Sequence, residues 1–185
     1  MNSKFFEEYT DIMNQALSSM DAKDLFASAE LIKSIKSTKN KVIIVGNGGS
    51  AAMASHVAVD LTKAAGIRSV TFNESDLLTC FANDYGYENW VEKALEFYAD
   101  NGDVVILISS SGSSANIIKG ARKAKEMGLA VITLSGFDSD NPLRPLGDIN
   151  LWVDSKGYNI VEMTHHIWLV AIVDYLVGKI EYKSN

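Results

Sequence analysis

Residues 41–50 read KVIIVGNGGS, and this stretch decides the fold. Its first half is a short β-branched run and its second half is a glycine-rich turn, a pattern typical of a buried strand that leads into a helix. Similar apolar runs follow at 67–72, 103–108, 130–134 and 149–153. Helical periodicity separates these runs, so the sequence predicts an α/β fold with five parallel strands and helices on both faces.

Two further helices are predicted before the first strand, within residues 1–40. Apolar residues recur at three- and four-residue steps, first at Phe5, Tyr9, Ile12 and Leu17, and then from Leu25 onward. The helical pair either covers the sheet or packs against copies of itself. A layered α/β domain does not need two leading helices. We therefore expect the pair to lie outside the sheet, with its first apolar stripe buried between subunits of a single-domain chain (1–185).

Composition excludes several classes of protein. The chain has 185 residues, with 17 Lys and Arg against 23 Asp and Glu, for a net charge of −6. This balance argues against nonspecific binding to nucleic acid or to an anionic membrane. The single cysteine, Cys80, excludes a disulfide framework and a cysteine-based zinc finger. No run approaches the roughly 20 apolar residues of a membrane span, and no signal-like core starts the chain. We expect a cytoplasmic protein.

The ligand site is predicted where two strands end. Residues 46–50 read GNGGS and residues 109–114 read SSSGSS, and each stretch follows a strand and opens a helix. With the strand order 2-1-3-4-5 the two loops lie side by side at the switch point, where open parallel sheets bind ligands. Helix N-termini, glycines and serine hydroxyls suit a phosphate monoester. The alternative is an ordinary surface loop with a capping serine.

A nucleotide cofactor fits this sequence less well. Residues 46–51 match the dinucleotide fingerprint G-x-G-x-x-G/A, but the acidic residue expected about 20 positions later is missing from its place, and Glu74 comes 28 positions after Gly46. No P-loop motif is present. We therefore expect no nucleotide or redox cofactor.

The three histidines lie near carboxylates. His56 precedes Asp60 by four residues, and Glu162 precedes His165 by three and His166 by four, so each set shares a helix face. Such pairs suit proton transfer next to a carbonyl or a divalent metal with nitrogen and oxygen ligands, and the sequence does not choose between these.

The combined pattern resembles the sugar isomerase (SIS) domain family, and within it the phosphoheptose isomerases. The motifs that carry the resemblance span most of the chain: GNGGS at 46–50, SH at 55–56 with Asp60, ND at 83–84, SSSGSSAN at 109–116, LSG at 134–136 and the helix from Val161.

The resemblance implies roles for particular residues. Phosphate and sugar contacts would come from Asn47, Gly48, Gly49, Ser50, Asp84, Ser109, Ser110, Ser111 and Ser114. Catalytic groups would come from Asp60, Glu162, His165 and His166. Some members bind zinc, here through His56, Asp60, Glu162 and His166. The family is usually a homotetramer with active sites at subunit interfaces.

Two positions depart from the family pattern. Asp60 stands where the family has a catalytic glutamate, and the position of the second histidine of the last helix falls on Val170. Either His166 or His165 has replaced that histidine, or the activity is altered. The expected reaction is the aldose–ketose isomerisation of sedoheptulose 7-phosphate to D-glycero-D-manno-heptose 7-phosphate through a cis-enediol. The alternative is a noncatalytic SIS-domain regulator that binds a phosphosugar, or a protein-interaction scaffold.

Overall fold

A computed structural model describes residues 3–181 of the chain, which form one parallel sheet between two layers of helices. The strands are β1 (Val42–Val45), β2 (Ser69–Thr71), β3 (Val104–Ser109), β4 (Ala130–Ser135) and β5 (Ile149–Trp152). The helices are α1 (Ser3–Leu17), α2 (Ala22–Ser34), α3 (Gly49–Lys63), α4 (Ser75–Tyr85), α5 (Trp90–Tyr98), α6 (Ala115–Glu126) and α7 (Tyr158–Val177), with a 3-10 turn at Arg144–Leu146.

The order of the strands is β2-β1-β3-β4-β5, and all neighbouring pairs are parallel. The predicted five-stranded, doubly wound sheet is confirmed, including its strand order. In β1 all four residues are buried, because β1 lies between two other strands and under helices on both faces. This double burial explains why the strand is a continuous apolar run and not an alternating one.

The sheet separates two hydrophobic cores. Alternate strand residues point to opposite faces, so Ile44 and Ile106 pack on one side with residues of α2, α3 and α7. Ile43 and Val105 pack on the other side with residues of α5 and α6. The helices that begin at the ligand loops, α3 and α6, therefore lie on opposite faces of the sheet.

The N-terminal helices differ in how they pack. Asp21 caps the N-terminus of α2, because its carboxylate accepts the backbone N–H of Lys23 at 2.9 Å, and the buried face of α2 covers the sheet near β5. The C-terminal end of α1 meets α7, where the Trp168 indole donates to the backbone oxygen of Leu17. The first three turns of α1 are almost wholly exposed, with Phe6 71% exposed.

Helix α7 approaches the length and apolarity of a membrane span, which the sequence analysis did not expect of any stretch. It has 20 residues, and an 18-residue window within it has a mean hydropathy of 1.4, enough to cross a membrane on length and composition alone. Its inner face, which includes Val161, Leu169 and Ile172, is buried in the core beside α2 and α3. This packing is that of the core helix of a globular domain.

An ion pair at the amino ends of β1 and β3 joins the two strands. The Lys41 ammonium lies 2.6 Å from the Asp103 carboxylate, which is fully buried, and 2.7 Å from that of Asp100. Asp103 also accepts the backbone N–H groups of Lys41 and Asp100, each at 2.9 Å. Both charges are thus paired and hydrogen-bonded, as buried charges must be.

We predict that Lys41→Met lowers the free energy of unfolding by about 3 kcal/mol, because it leaves the buried Asp103 carboxylate without its cation. The control is Lys156→Met, which removes an exposed ion pair with Asp138 and should leave the free energy of unfolding nearly unchanged. Urea denaturation measures both values. Equal effects of the two substitutions would contradict the structural role of the buried pair.

Candidate active site

Two loops meet at the carboxyl edge of the sheet. The glycine loop (46–48) joins β1 to α3, and the serine loop (110–114) joins β3 to α6; β1 and β3 are neighbours. Between the loops lies a cavity of about 260 Å³. The residues that line it are Asn47, Gly48, Ser50, Ile108, Ser109, Ser110, Ser111, Ser114, Tyr158 and Glu162. Eight of these ten come from the two loops and the ends of the elements that flank them, so the fold builds the site at its switch point.

Glycines allow backbone and carboxylate to come close together at the start of α3. Gly48 has φ 55°, in the left-handed region that favours glycine. A side chain at Gly49 would collide with the carboxylate of Glu162, which therefore lies against the first turn of α3. The N-terminus of a helix carries partial positive charge, so it is a favourable place for a carboxylate or for a bound anion.

The serine loop offers a buried hydroxyl to the cavity. Ser109 donates to the hydroxyl of Ser114 at 2.9 Å, and the hydroxyl of Ser111 accepts the N–H of Ser113 at 3.2 Å. The Ser110 hydroxyl is buried and has no hydrogen-bond partner within residues 3–181. Buried polar groups are almost always paired, so this hydroxyl, in the wall of the cavity, indicates a place for a ligand oxygen.

A pair of amides connects the two loops. Asn47 and Asn116 exchange two hydrogen bonds, of 3.0 and 2.9 Å, and the Tyr87 hydroxyl also donates to Asn47 at 3.0 Å. Sequence reasoning treated Asn47 as a ligand contact and did not assign a role to Asn116 or Tyr87. The signal for Asn116 was its place at the start of the helix after the serine loop, facing the glycine loop across the switch point.

The two predicted histidine–carboxylate pairs meet beside the cavity. His56 Nε2 lies 3.1 Å from Asp60, and His56 Nδ1 lies 2.8 Å from His166 Nε2. An ionised Asp60 only accepts, so His56 Nε2 carries a proton and its Nδ1 accepts one from His166 Nε2. Nδ1 of His166 then holds a lone pair. Burial, together with the nearby His56, lowers the pKa of His166, while Asp60 opposes this effect.

Glu162 joins this cluster to the cavity. It stands one turn before His166 on α7, and α7 runs beside α3 in the same direction, since Glu162 meets Gly49 and His166 meets His56. Burial raises the pKa of the Glu162 carboxyl above its usual value. A carboxylate of raised basicity beside an imidazole chain is an arrangement suited to general acid–base chemistry.

His165 lies on a different side of α7. It is fully buried, and its Nε2 lies 3.0 Å from the backbone oxygen of Ser135, at the end of β4. Its Nδ1 has no partner in residues 3–181, and burial lowers its pKa to about 4. Of the two adjacent histidines, the structure brings His166 to His56 and holds His165 in the core, and neither is among the residues that line the cavity.

Asp84 is also outside the cavity lining. Its exposed carboxylate contacts the side chains of Asn83, at 2.8 Å, and of Cys80, at 3.7 Å. Tyr87, three residues after Asp84, reaches the cavity through the hydrogen bond from its hydroxyl to Asn47.

The predicted zinc ligands do not fit a metal as they are arranged. Within the described residues no group of three or more His, Cys, Asp or Glu side chains could hold an ion. His56 and His166 face each other, nitrogen to nitrogen, in a hydrogen bond, and the other nitrogen of His56 is directed to Asp60. Binding of one ion by both imidazoles requires at least one ring to turn.

Comparison with known proteins gives consistent matches. Residues 4–136 match the profile of the SIS domain. The chain is 31% identical to the phosphoheptose isomerase of Helicobacter pylori (strain HPAG1) over 98% of this chain and 96% of the relative. It is 33% identical to a probable phosphoheptose isomerase of Thermoplasma acidophilum over 96% and 98%. The solved phosphoheptose isomerase GmhA of Neisseria gonorrhoeae superimposes with a TM-score of 0.85 at 27% identity, over 95% of this chain and 97% of that one.

Burial of His165 predicts a loss of stability in acid. In the folded protein its pKa is about 4, against 6.5 for an ordinary histidine, so between these values only the unfolded chain takes up the proton. The contribution of neutral His165 to the free energy of unfolding is complete above about pH 6.5 and declines as the pH falls toward about 4. Between about pH 7 and pH 4.5 the stability advantage of wild type over His165→Gln should shrink by about 2–3 kcal/mol.

Denaturant titrations of both proteins at the two pH values measure this change. The carboxylates titrate in both proteins and cancel in the comparison. An advantage that stays constant with pH would show that His165 is not held neutral by burial.

Proposed function

Since the chain belongs to the SIS domain family, we propose that it is an aldose–ketose isomerase that converts sedoheptulose 7-phosphate into D-glycero-D-manno-heptose 7-phosphate. The observation that carries this proposal is one cavity with a serine loop on one side and a half-buried carboxylate of α7 on the other. The unpartnered Ser110 hydroxyl belongs to the first and Glu162 to the second. The relatives match this chain over nearly their full length, and their names, phosphoheptose isomerase and probable phosphoheptose isomerase, support a seven-carbon sugar phosphate as the substrate.

The serine loop and two helix N-termini bind the phosphate. Ser110 and Ser111 donate from the serine loop, while α3 and α6 direct the positive ends of their dipoles toward the same space. The cavity lining in the described chain includes no Lys or Arg. Phosphate binding therefore depends on neutral donors, and it supplies binding energy far from the reacting carbons.

Glu162 acts as the base. It removes a proton from C1, next to the C2 carbonyl, which leaves a cis-enediolate. The O1 hydroxyl proton passes through the lone pair of His166 Nδ1 to O2, and the protonated Glu162 delivers its proton to C2, which leaves the aldehyde. Glu162 suits this role because it lines the cavity and has a raised pKa. Asp60 is committed to His56 instead.

His166 serves the substrate oxygens. The Asp60–His56–His166 chain fixes the His166 tautomer and leaves its Nδ1 to exchange protons between O1 and O2. Hydrogen moves only within the substrate and these side chains, so the reaction consumes no redox cofactor. In this proposal His166 takes the part that the family gives to the position of Val170, one helical turn further along α7.

The isomerase proposal is tested by NMR of the purified protein with sedoheptulose 7-phosphate in deuterated water. The expected result is the aldose signal, with solvent deuterium incorporated at C1 or C2 as the enediol exchanges. No turnover together with intact phosphosugar binding would favour the noncatalytic regulator.

Two variants test the base and the phosphate contact separately. Glu162→Gln should lower kcat by about 10²–10⁴-fold and leave inorganic phosphate binding unchanged, because it removes only the base. Ser110→Ala should weaken phosphate binding about tenfold, since it removes one hydrogen bond to a charged group. The control is Glu126→Gln, at an exposed glutamate paired with Lys123. Steady-state kinetics and calorimetry measure the effects; a full kcat in Glu162→Gln would remove its role as base.

We further propose that the chain forms a homotetramer through its exposed apolar helix faces. Phe5, Phe6 and Ile12 of α1 are 57%, 71% and 49% exposed. Isolated helices of this length are marginal in water, and an apolar stripe of this kind is typical of an interface. On α7, Met163 and Ile167 are also exposed and flank His166 in sequence, so an interface here would border the site.

The cytoplasm is the proposed location. A phosphorylated sugar is charged and does not cross a bilayer unaided. The single cysteine, Cys80, is a free thiol, as is usual in a reducing compartment.

Assembly through α1 predicts that Phe5→Glu with Ile12→Glu converts the tetramer into smaller species, because the new charges oppose burial of the stripe. Asn14→Glu is the matched control, since Asn14 lies about 180° around the helix from Phe5 at 100° per residue. Light scattering after gel filtration measures the mass. A wild-type monomer at micromolar concentration, or a tetramer that survives the double substitution, would contradict this interface.

A further inference from the structure

We propose that Tyr158, held in place by Phe137, selects the substrate by contacting the carbon chain between the phosphate and the carbonyl. This inference rests on the proposed function, because it assigns the part of the same cavity that neither the serine loop nor Glu162 serves. The two aromatic residues form what we call the aromatic wall.

Phe137 has an unusual backbone conformation. Its φ is 58°, and it is the one non-glycine residue with positive φ in the described part of the chain. Such conformations are costly for a bulky side chain and tend to persist at functional sites. The Phe137 N–H donates to the backbone oxygen of Ser155, and the preceding Gly136 N–H donates to that of Ser110, each at 2.9 Å. The strained residue is thus tied to the serine loop and to the segment that leads into α7.

Phe137 fixes the ring of Tyr158. The two ring centroids lie 4.9 Å apart with an interplanar angle of 72°, the edge-to-face geometry that aromatic pairs prefer. Phe137 itself is anchored, because its side chain packs on the hydrophobic core. Tyr158 is 61% exposed, yet it lines the cavity. An exposed aromatic ring in a fixed position beside a polar cavity has no evident role in folding.

The aromatic wall links the two sides of the site. Gly136, next to Phe137, donates to the backbone oxygen of Ser110, and Glu162 lies one turn after Tyr158 on the same face of α7. Tyr158 and Glu162 both line the cavity, together with the serine loop. A sugar phosphate held by its phosphate and its carbonyl therefore passes the Tyr158 ring with its middle carbons. Those carbons present C–H groups, which an aromatic ring contacts well and hydroxyl donors do not.

The contact with Tyr158 predicts that the effect of removing the ring on ligand affinity depends on the length of the ligand's carbon chain. Inorganic phosphate and dihydroxyacetone phosphate occupy the phosphate end without filling the middle, whereas sedoheptulose 7-phosphate extends past the ring. Removing the ring should weaken the seven-carbon ligand and leave the short ligands unchanged. A structural role for Tyr158 would weaken all three alike.

The test compares Tyr158→Ala with Tyr158→Phe. In Tyr158→Ala we expect KM for sedoheptulose 7-phosphate to rise about tenfold with kcat nearly unchanged, and the inhibition constants of phosphate and dihydroxyacetone phosphate to stay within about twofold. Tyr158→Phe keeps the ring and should behave as wild type. Phe137→Gly removes the supporting ring and suits the left-handed backbone, so it should raise KM for sedoheptulose 7-phosphate in the same way.

The outcomes separate this inference from the proposed function. If wild type turns over no sugar phosphate, the isomerase proposal fails, and calorimetry with the same three ligands still tests the wall. An unchanged affinity of Tyr158→Ala for sedoheptulose 7-phosphate, or an equal loss for all three ligands, would overturn the role of Tyr158 in selection.

Discussion

The parallel pairing of β1 with β3 is the constraint on which the site depends. These strands are neighbours in the sheet although β2 lies between them in the sequence. The connection after β1 therefore leads toward one edge of the sheet, and the connection after β3 leads toward the other edge. Two helix N-termini consequently open onto one space, on opposite faces of the sheet. The proposed phosphate site needs no buried cation, because the backbone itself supplies donors and partial charge. The Asn47–Asn116 amides then hold the two loops together across the gap.

Most of the fold could be predicted from sequence, because its signals are local. Buried strands are apolar runs, and the loops at the switch point have compositions that few other structures need. The two strand ends at 46–50 and 109–114 fall where the pattern places them. The resemblance to a family added roles for single residues, which spacing alone does not provide.

The rotation of α7 could not be predicted in this way. Adjacent residues on a helix point about 100° apart, so His165 and His166 cannot both face His56 on α3. An amphipathic pattern would reveal which one does, but α7 is apolar around most of its circumference. Its orientation is set by packing against α1, α2 and α3, at long distances in sequence. The left-handed backbone at Phe137 could not be predicted either, because no residue type at this position indicates a positive φ.

The ion pair between Lys41 and Asp103 has a consequence for how such a protein can diverge. It closes β1 and β3 at their amino ends, while the asparagine amides close the same two strands at their carboxyl ends. A strand pair fastened at both ends cannot slip in register without breaking buried polar contacts. Variation is then absorbed by the outer strands β2 and β5, so the periphery of the sheet can change over evolutionary time while the two central loops keep their mutual position.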